Sequence, residues 1–171
     1  FSVLRAKQRT SDFKEYISTI SGVEAIGDYS VKIITSKPNP ILLNQLSNIF
    51  IMSKAWSEEN FAMSPQNWDA GQETYSATNA LGTGPFKITL REPNTKTVFK
   101  RNKHWWGEMT DKKVTQIELL PIKNAATRVA ALLSGEIDIV TDAPVQDLAR
   151  IGSSSAHKVE STAQMRTIFL G

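Results

Sequence analysis

NAATRVAALLSGEIDIVTDAPVQDLARI, residues 124–151, is the stretch on which the fold reading turns. Asn124 stands where a helix N-cap is wanted, since its side-chain oxygen can take one of the free N–H groups of a first turn. Residues 125–134 predict a helix whose apolar face is Val129, Leu132 and Leu133, and Gly135 suits the left-handed position after it. Residues 137–140 predict a short buried strand. Pro144 then opens a second helix over 145–151, at a position where its missing N–H costs nothing. Outward from there, 114–121 predicts a strand before the first helix, and 158–161 and 167–170 predict two after the second. Strand, helix, strand, helix, strand, strand is the signature of an α/β layer with at least one parallel, right-handed crossover.

The chain upstream adds hairpins. Residues 86–91 and 97–101 flank Glu92-Pro93-Asn94-Thr95, a set of turn residues between two β-rich runs. Residues 23–26 and 29–34 do the same around Gly27-Asp28. Residues 2–20 predict a helix with a loose apolar face (Val3, Leu4, Phe13, Ile17, Ile20) ended by Gly22. Residues 41–46 predict one or two helical turns, and 49–52 a short strand. Residues 53–81 are polar and turn-rich, with Trp56 and Trp68 as large anchors; a connection of that length is usually functional or joins two lobes. The expected class is α/β with a mixed sheet, divided into 1–81 and 82–171.

Composition narrows the function classes. The 171 residues are 40% apolar and 22% charged, which places the chain among globular proteins. A folded chain of this mass exposes about 8,400 Å², against about 27,500 Å² unfolded, so a real core is affordable without covalent staples. There is no cysteine, which excludes a disulfide scaffold, a thiolate metal site and a cysteine nucleophile. Net charge is +3, and the densest basic stretches, 100–104 and 112–113, are too short for a nucleic-acid or membrane tail. No apolar run approaches the roughly 18 residues of a membrane span. Phe1 at the start and a strand-like run at the end suggest a piece of a longer protein, so the missing leader is uninformative about location.

No catalytic constellation emerges. His104 and His157 lack a second ligand at helical spacing. Gly82-Thr83-Gly84-Pro85 resembles the start of a phosphate loop, but a strand follows it, and a phosphate cradle needs a helix N-terminus. Asp138 and Asp142 would lie about 13 Å apart along a strand, beyond the roughly 6.5–9.5 Å of an inverting carboxylate pair. The Trp105-Trp106 pair reads best as a core plug, with stacking on a base or sugar as the alternative. Thr141-Asp142-Ala143 stands out because it follows a predicted strand and precedes a helix. Ligands of open α/β sheets bind beyond strand carboxyl ends and near helix N-termini. Asp142 would cap that helix, touch a ligand, or do both.

At this point the motifs carry a resemblance. Phe1-Ser2-Val3-Leu4-Arg5, the hairpin from Gly22 to Val31, Pro38-Asn39-Pro40, Gly82-Thr83-Gly84-Pro85-Phe86, the run from Lys100 to Gly107 and Ser134-Gly135-Glu136-Ile137-Asp138-Ile139 come in a telling order. In that order and spacing they resemble the extracellular solute-binding proteins of ABC importers, in the peptide/nickel-binding family. No one motif is specific; the series along the whole chain is.

The resemblance implies a partial periplasmic-binding-protein-like type II fold, first lobe only. Residues 1–81 would be the smaller α/β subdomain and 82–171 part of the core subdomain, ending at the hinge. It implies a receptor and not an enzyme. The receptor would take a small solute, a peptide first of all, between two lobes outside the cytoplasmic membrane and deliver it to ABC permease subunits. No cofactor is expected; neither histidine falls in the segments that map to the cleft, so no metal site is expected, and the small, spread-out basic excess argues against a nucleic-acid partner. Exposed lobe surface and a severed sheet leave room for self-association of the piece. Two segments map to the cleft: Thr141, Asp142 and Ala143, and Met165 with Arg166. Arg166 could pair with a ligand carboxylate or be a surface arginine. The alternative within the family is a ligand sensor or partner-binding module. Outside it stand an unrelated α/β enzyme, which needs a nucleophile–base pair or metal set, and a basic nucleic-acid module, which needs steep salt dependence.

Overall fold

Two short strands around a glycine turn open the ordered core. β1 (Ile20–Ala25) and β2 (Val31–Thr35) pair antiparallel, and Gly27 at the turn has φ +77°, a conformation costly for any residue with a Cβ. The computed structural model describes residues 1–71, 73–108 and 113–163. The chain forms two compact units, Phe1–Leu120 and Pro121–Gly171.

In the first unit the helix expected over 2–20 is two short pieces, α1 (Ser2–Ala6) and a 3-10 turn (Lys14–Ile17). The break is local and polar. Ser11 is buried, and its hydroxyl accepts from the Phe13 N–H at 3.2 Å, offering the backbone an alternative to helical pairing. Gly22 does not end a helix but lies inside β1, where a Cβ would come within 3.3 Å of the Ile34 side chain. Ala6, Ile17, Ile20 and Ile49 form the core of this part. Leu42 and Leu46 of α2 (Leu42–Leu46) pack against it.

Residues 49–52 are not a strand. Ile49 is buried, whereas Phe50 and Ile51 are 78% and 79% exposed. Ser2 replaces the strand partner: the Met52 N–H donates to its hydroxyl at 2.8 Å, and the hydroxyl lies 3.2 Å from the Met52 carbonyl. The long connection 53–81 is partly ordered by its aromatics. Trp56, in α3 (Lys54–Glu59), lies 5.8 Å from the ring of Tyr75, in the 3-10 turn Tyr75–Ala77.

β3 (Phe86–Glu92), β4 (Lys96–Arg101) and β5 (Gln116–Leu119) make a three-stranded antiparallel sheet in that order. The expected hairpin is present, with Asn94 at φ +61° in the turn, a conformation asparagine tolerates. Just past β4, Asn102 is 7% exposed. Its amide donates to the Gly84 carbonyl at 2.9 Å, its N–H donates to Pro85 O at 2.7 Å, and its side-chain oxygen accepts from the His104 N–H at 3.1 Å. Asn102 thus joins the Gly-Thr-Gly-Pro turn to the end of β4. Trp105 is half-buried, but Trp106 is 85% exposed, so the pair is not a core plug as a whole.

The second unit is built on α4 (Ala125–Ser134). The Asn124 side chain accepts from the Thr127 N–H at 2.9 Å, and Gly135 stands at φ +78°, so both ends are as expected. Asn124→Ala is expected to lower stability by about 1 kcal/mol. A shift of the denaturation midpoint in urea reads it, and no shift would mean that the cap is dispensable. Val129 and Leu132 pack with Ile151 of α5 (Leu148–Gly152), which follows a 3-10 turn, Val145–Asp147. His157 fastens the far end. Nε2 lies 3.0 Å from the Leu132 carbonyl and Nδ1 3.0 Å from the Ser154 hydroxyl.

Residues 137–140 do not form the expected buried strand. Ile137 and Val140 pack on the α4–α5 cluster, while Ile139 is 81% exposed. An isolated extended segment has no ladder to join, and both sheets among the described residues are antiparallel, so no parallel crossover is present there. Residues 158–161 are likewise irregular, with Lys158 and Glu160 paired as ions. The strand expected at 167–170 lies outside the described residues.

Candidate functional site

The segment 141–143 is a loop held from two sides. The methyl group of Ala143 packs against the cluster of Val129, Leu132 and Ile151. Asp142 has φ +56°, in the left-handed region, and its carbonyl accepts from Arg128 Nη2 at 3.3 Å. Thr141 and Asp142 are both exposed. The Asp142 carboxylate makes no hydrogen bond or ion pair among the described residues, so it stands ready as an acceptor.

Asp142 does not cap the following turn. Pro144 occupies the position before Val145–Asp147, and no side-chain cap bond forms there. Pro144 holds the capping position itself, so the Asp142 carboxylate lies two residues too far upstream. The 137–140 segment makes no ladder and α5 has five residues, so the loop is not positioned by a strand end and a long helix dipole. Met165 and Arg166, the other expected contacts, lie outside the described residues.

Arg128 is the residue that pattern reading missed. Nη1 donates to the carbonyls of Ile122 at 2.9 Å and Lys123 at 3.0 Å, and Nη2 reaches Asp142 O. Its Nε is buried without a hydrogen-bond partner in the described structure. The signal was available. Arg128 is the one charged residue in the 125–134 helix, and it lies four residues before the buried Leu132.

Elsewhere the chain offers less chemistry. Arg5 donates through Nε to Ala62 O at 3.0 Å and through Nη2 to Ser64 O at 2.9 Å, and burial pulls its pKa below the ordinary arginine value. It borders an open concavity of about 400 Å³ that Leu4, Gln8 and Met63 also line. Both ring nitrogens of His157 are engaged, as above. Among the described residues no group of three or more His, Asp or Glu side chains is placed to hold a metal.

The bacterial extracellular solute-binding proteins, family 5 Middle, match this sequence along residues 1–171. The chain belongs to that family. The family 5 chain is 26% identical over 149 residues to the periplasmic murein peptide-binding protein MppA of Escherichia coli. That match covers 86% of the chain and 26% of MppA. It is also 26% identical over 169 residues to the nickel-binding protein NikA of Staphylococcus aureus, covering 99% of the chain and 31% of NikA. Among solved structures, NikZ from Campylobacter jejuni in complex with Ni(L-His) superposes with a TM-score of 0.64 at 25% identity. It covers 80% of the family 5 chain and 26% of NikZ. The chain therefore spans about a quarter to a third of the length of these relatives. The fold is mixed α/β and matches part of a type II periplasmic binding protein, as the motif series implied. The relatives are binding proteins, not enzymes.

Proposed function

We propose that the chain is part of the first lobe of a solute-binding receptor. The receptor captures a small solute, a peptide first of all, outside the cytoplasmic membrane and delivers it to ABC permease subunits in that membrane. The observation that carries this reading is the family match along residues 1–171. Residues 1–81 serve as the smaller subdomain and 82–171 as part of the core subdomain. Thr141, Asp142 and Ala143 contribute one wall of the solute site, and Met165 and Arg166 are the contacts expected from a second segment. Closure of two lobes on the solute draws its free energy from tighter binding in the closed state.

Exposed apolar side chains support an incomplete lobe. Leu43, Phe50 and Ile51 are each more than three-quarters exposed. Surfaces of that kind belong against other protein, and in isolation they favour self-association.

A second reading, a nickel complex as cargo, is favoured by the NikA match across nearly the whole chain. Native mass spectrometry of the full-length protein, purified gently from its own compartment, separates the two. An adduct of peptide mass, restored by an equimolar library of di- to pentapeptides after stripping, is the expected result. No shift with that library overturns the peptide reading. A shift with nickel and L-histidine instead moves the assignment to the metal complex. A receptor that binds peptide yet is encoded without a permease and ATPase would be a sensor rather than a transport component.

A further inference from the structure

We infer that Arg128 is the positioning residue of the 141–143 loop, fixing the Asp142 backbone so that Thr141 and Asp142 meet the solute in one geometry. The inference rests on the reading of that loop as a wall of the solute site.

One guanidinium reaches three carbonyls, Ile122 and Lys123 before α4 and Asp142 fourteen residues further on. The planar fork of arginine suits this; a lysine ammonium is a single point and cannot span the same three acceptors. The two ends of the span differ in kind. Ile122 and Lys123 lead into α4, whose start is capped by Asn124. Asp142 has no such anchor. Its φ of +56° lies in the left-handed region, which aspartate tolerates better than most residues with a Cβ but still adopts only in a minority of cases, so a bond to its carbonyl helps to keep it there. Ala143 packing on the α4–α5 cluster fixes the loop on one side, and the Arg128 bond fixes it on the other.

Arg128 is also an unfavourable choice for α4 itself. A cation in the first turn opposes the helix dipole. A buried Nε with no partner adds a desolvation penalty. An alanine or leucine would serve the helix better, so the compensating role lies in what the guanidinium holds. The hold acts on the backbone of Asp142 and leaves the carboxylate exposed and unclaimed. A loop fixed in advance loses less freedom on binding, which favours affinity without any direct contact from Arg128.

The test uses the full-length protein with Arg128→Lys and Arg128→Met, labelled with ¹³C aspartate. Three quantities are read: the thermal midpoint, the Asp142 ¹³Cα shift, and the affinity for the equimolar peptide library by native mass spectrometry. In both variants the Asp142 shift is expected to leave its left-handed value and peptide affinity to fall about tenfold. The affinity loss should be the same for the two variants even if Met lowers the thermal midpoint more than Lys. An Asp142 shift that stays put overturns the inference, whatever binding does. A shift that moves without loss of affinity overturns it too, because the loop geometry would then not matter to the solute. Thr141→Ala and Asp142→Ala keep the two proposals apart. If neither weakens the adduct, the loop is not a solute wall; if the wild type takes no peptide, the peptide reading fails. The Asp142 shift still decides in either case whether Arg128 holds the loop.

Discussion

Ile17→Ala should destabilise the first unit by about 2–5 kcal/mol, the usual range for deleting a buried isoleucine down to its Cβ. Ile17 has no exposed surface, and its neighbours Ala6, Ile20 and Ile49 come from three separate segments. A 3-10 turn holds it on one side and the β1–β2 ribbon on another, so the cavity cannot close by the shift of one element. The core here is small, and a loss of this size is a large share of a domain's typical 5–15 kcal/mol. Urea denaturation of the full-length protein, with Ile26→Ala as a control at a half-exposed position, measures it. Ile17→Val should lose only about 0.5–1.5 kcal/mol. Equal midpoints for Ile17→Ala and Ile26→Ala would show that this cluster is not where the first unit draws its stability.

Asn102→Ala is the second large effect, expected at about 2–4 kcal/mol. The loss of its side-chain bonds to Gly84 and His104 adds to the penalty of leaving buried groups unpaired. Asn102→Asp should be at least as harmful, because it replaces the amide donor with an oxygen facing the Gly84 carbonyl oxygen. Asn102→Ser keeps a donor but cannot reach both partners. The readout is again the denaturation midpoint, joined by Trp105 and Trp106 fluorescence, since these rings follow directly from the turn that Asn102 ties. A midpoint within the spread of surface variants would mean that water replaces the asparagine without loss.

These two residues show how unevenly the fold could be read beforehand. The hairpins were legible because turn chemistry is local: Gly27 and Asn94 announce positive φ within a few residues of the strands they join. α4 was legible for the same reason, with its cap and its terminal glycine both adjacent. The broken helix over 2–20 was not, because a buried Ser11 and the Ser2–Met52 pairing depend on contacts that periodicity does not register. Residues 137–140 carry strand-like composition, yet composition supplies no neighbour to pair with. Trp106 failed in the opposite sense: a large aromatic was expected inside and stands outside. At the candidate site the loop itself was visible as a break before Pro144. The guanidinium beneath it was hidden, since its acceptors are backbone carbonyls that any residue could supply.

Every strand ladder in the described structure joins neighbours in the chain: β1 to β2, β3 to β4, β4 to β5. The turns between the first two pairs are short, so those hairpins close small loops and need no distant segment. Formation within about 1–10 μs is typical of such hairpins, far faster than synthesis at roughly 5–20 residues per second. Each ribbon can therefore be in place before the next leaves the ribosome. The steps that bring Ile49 against Ile17, or His157 against Leu132, come later and set the pace.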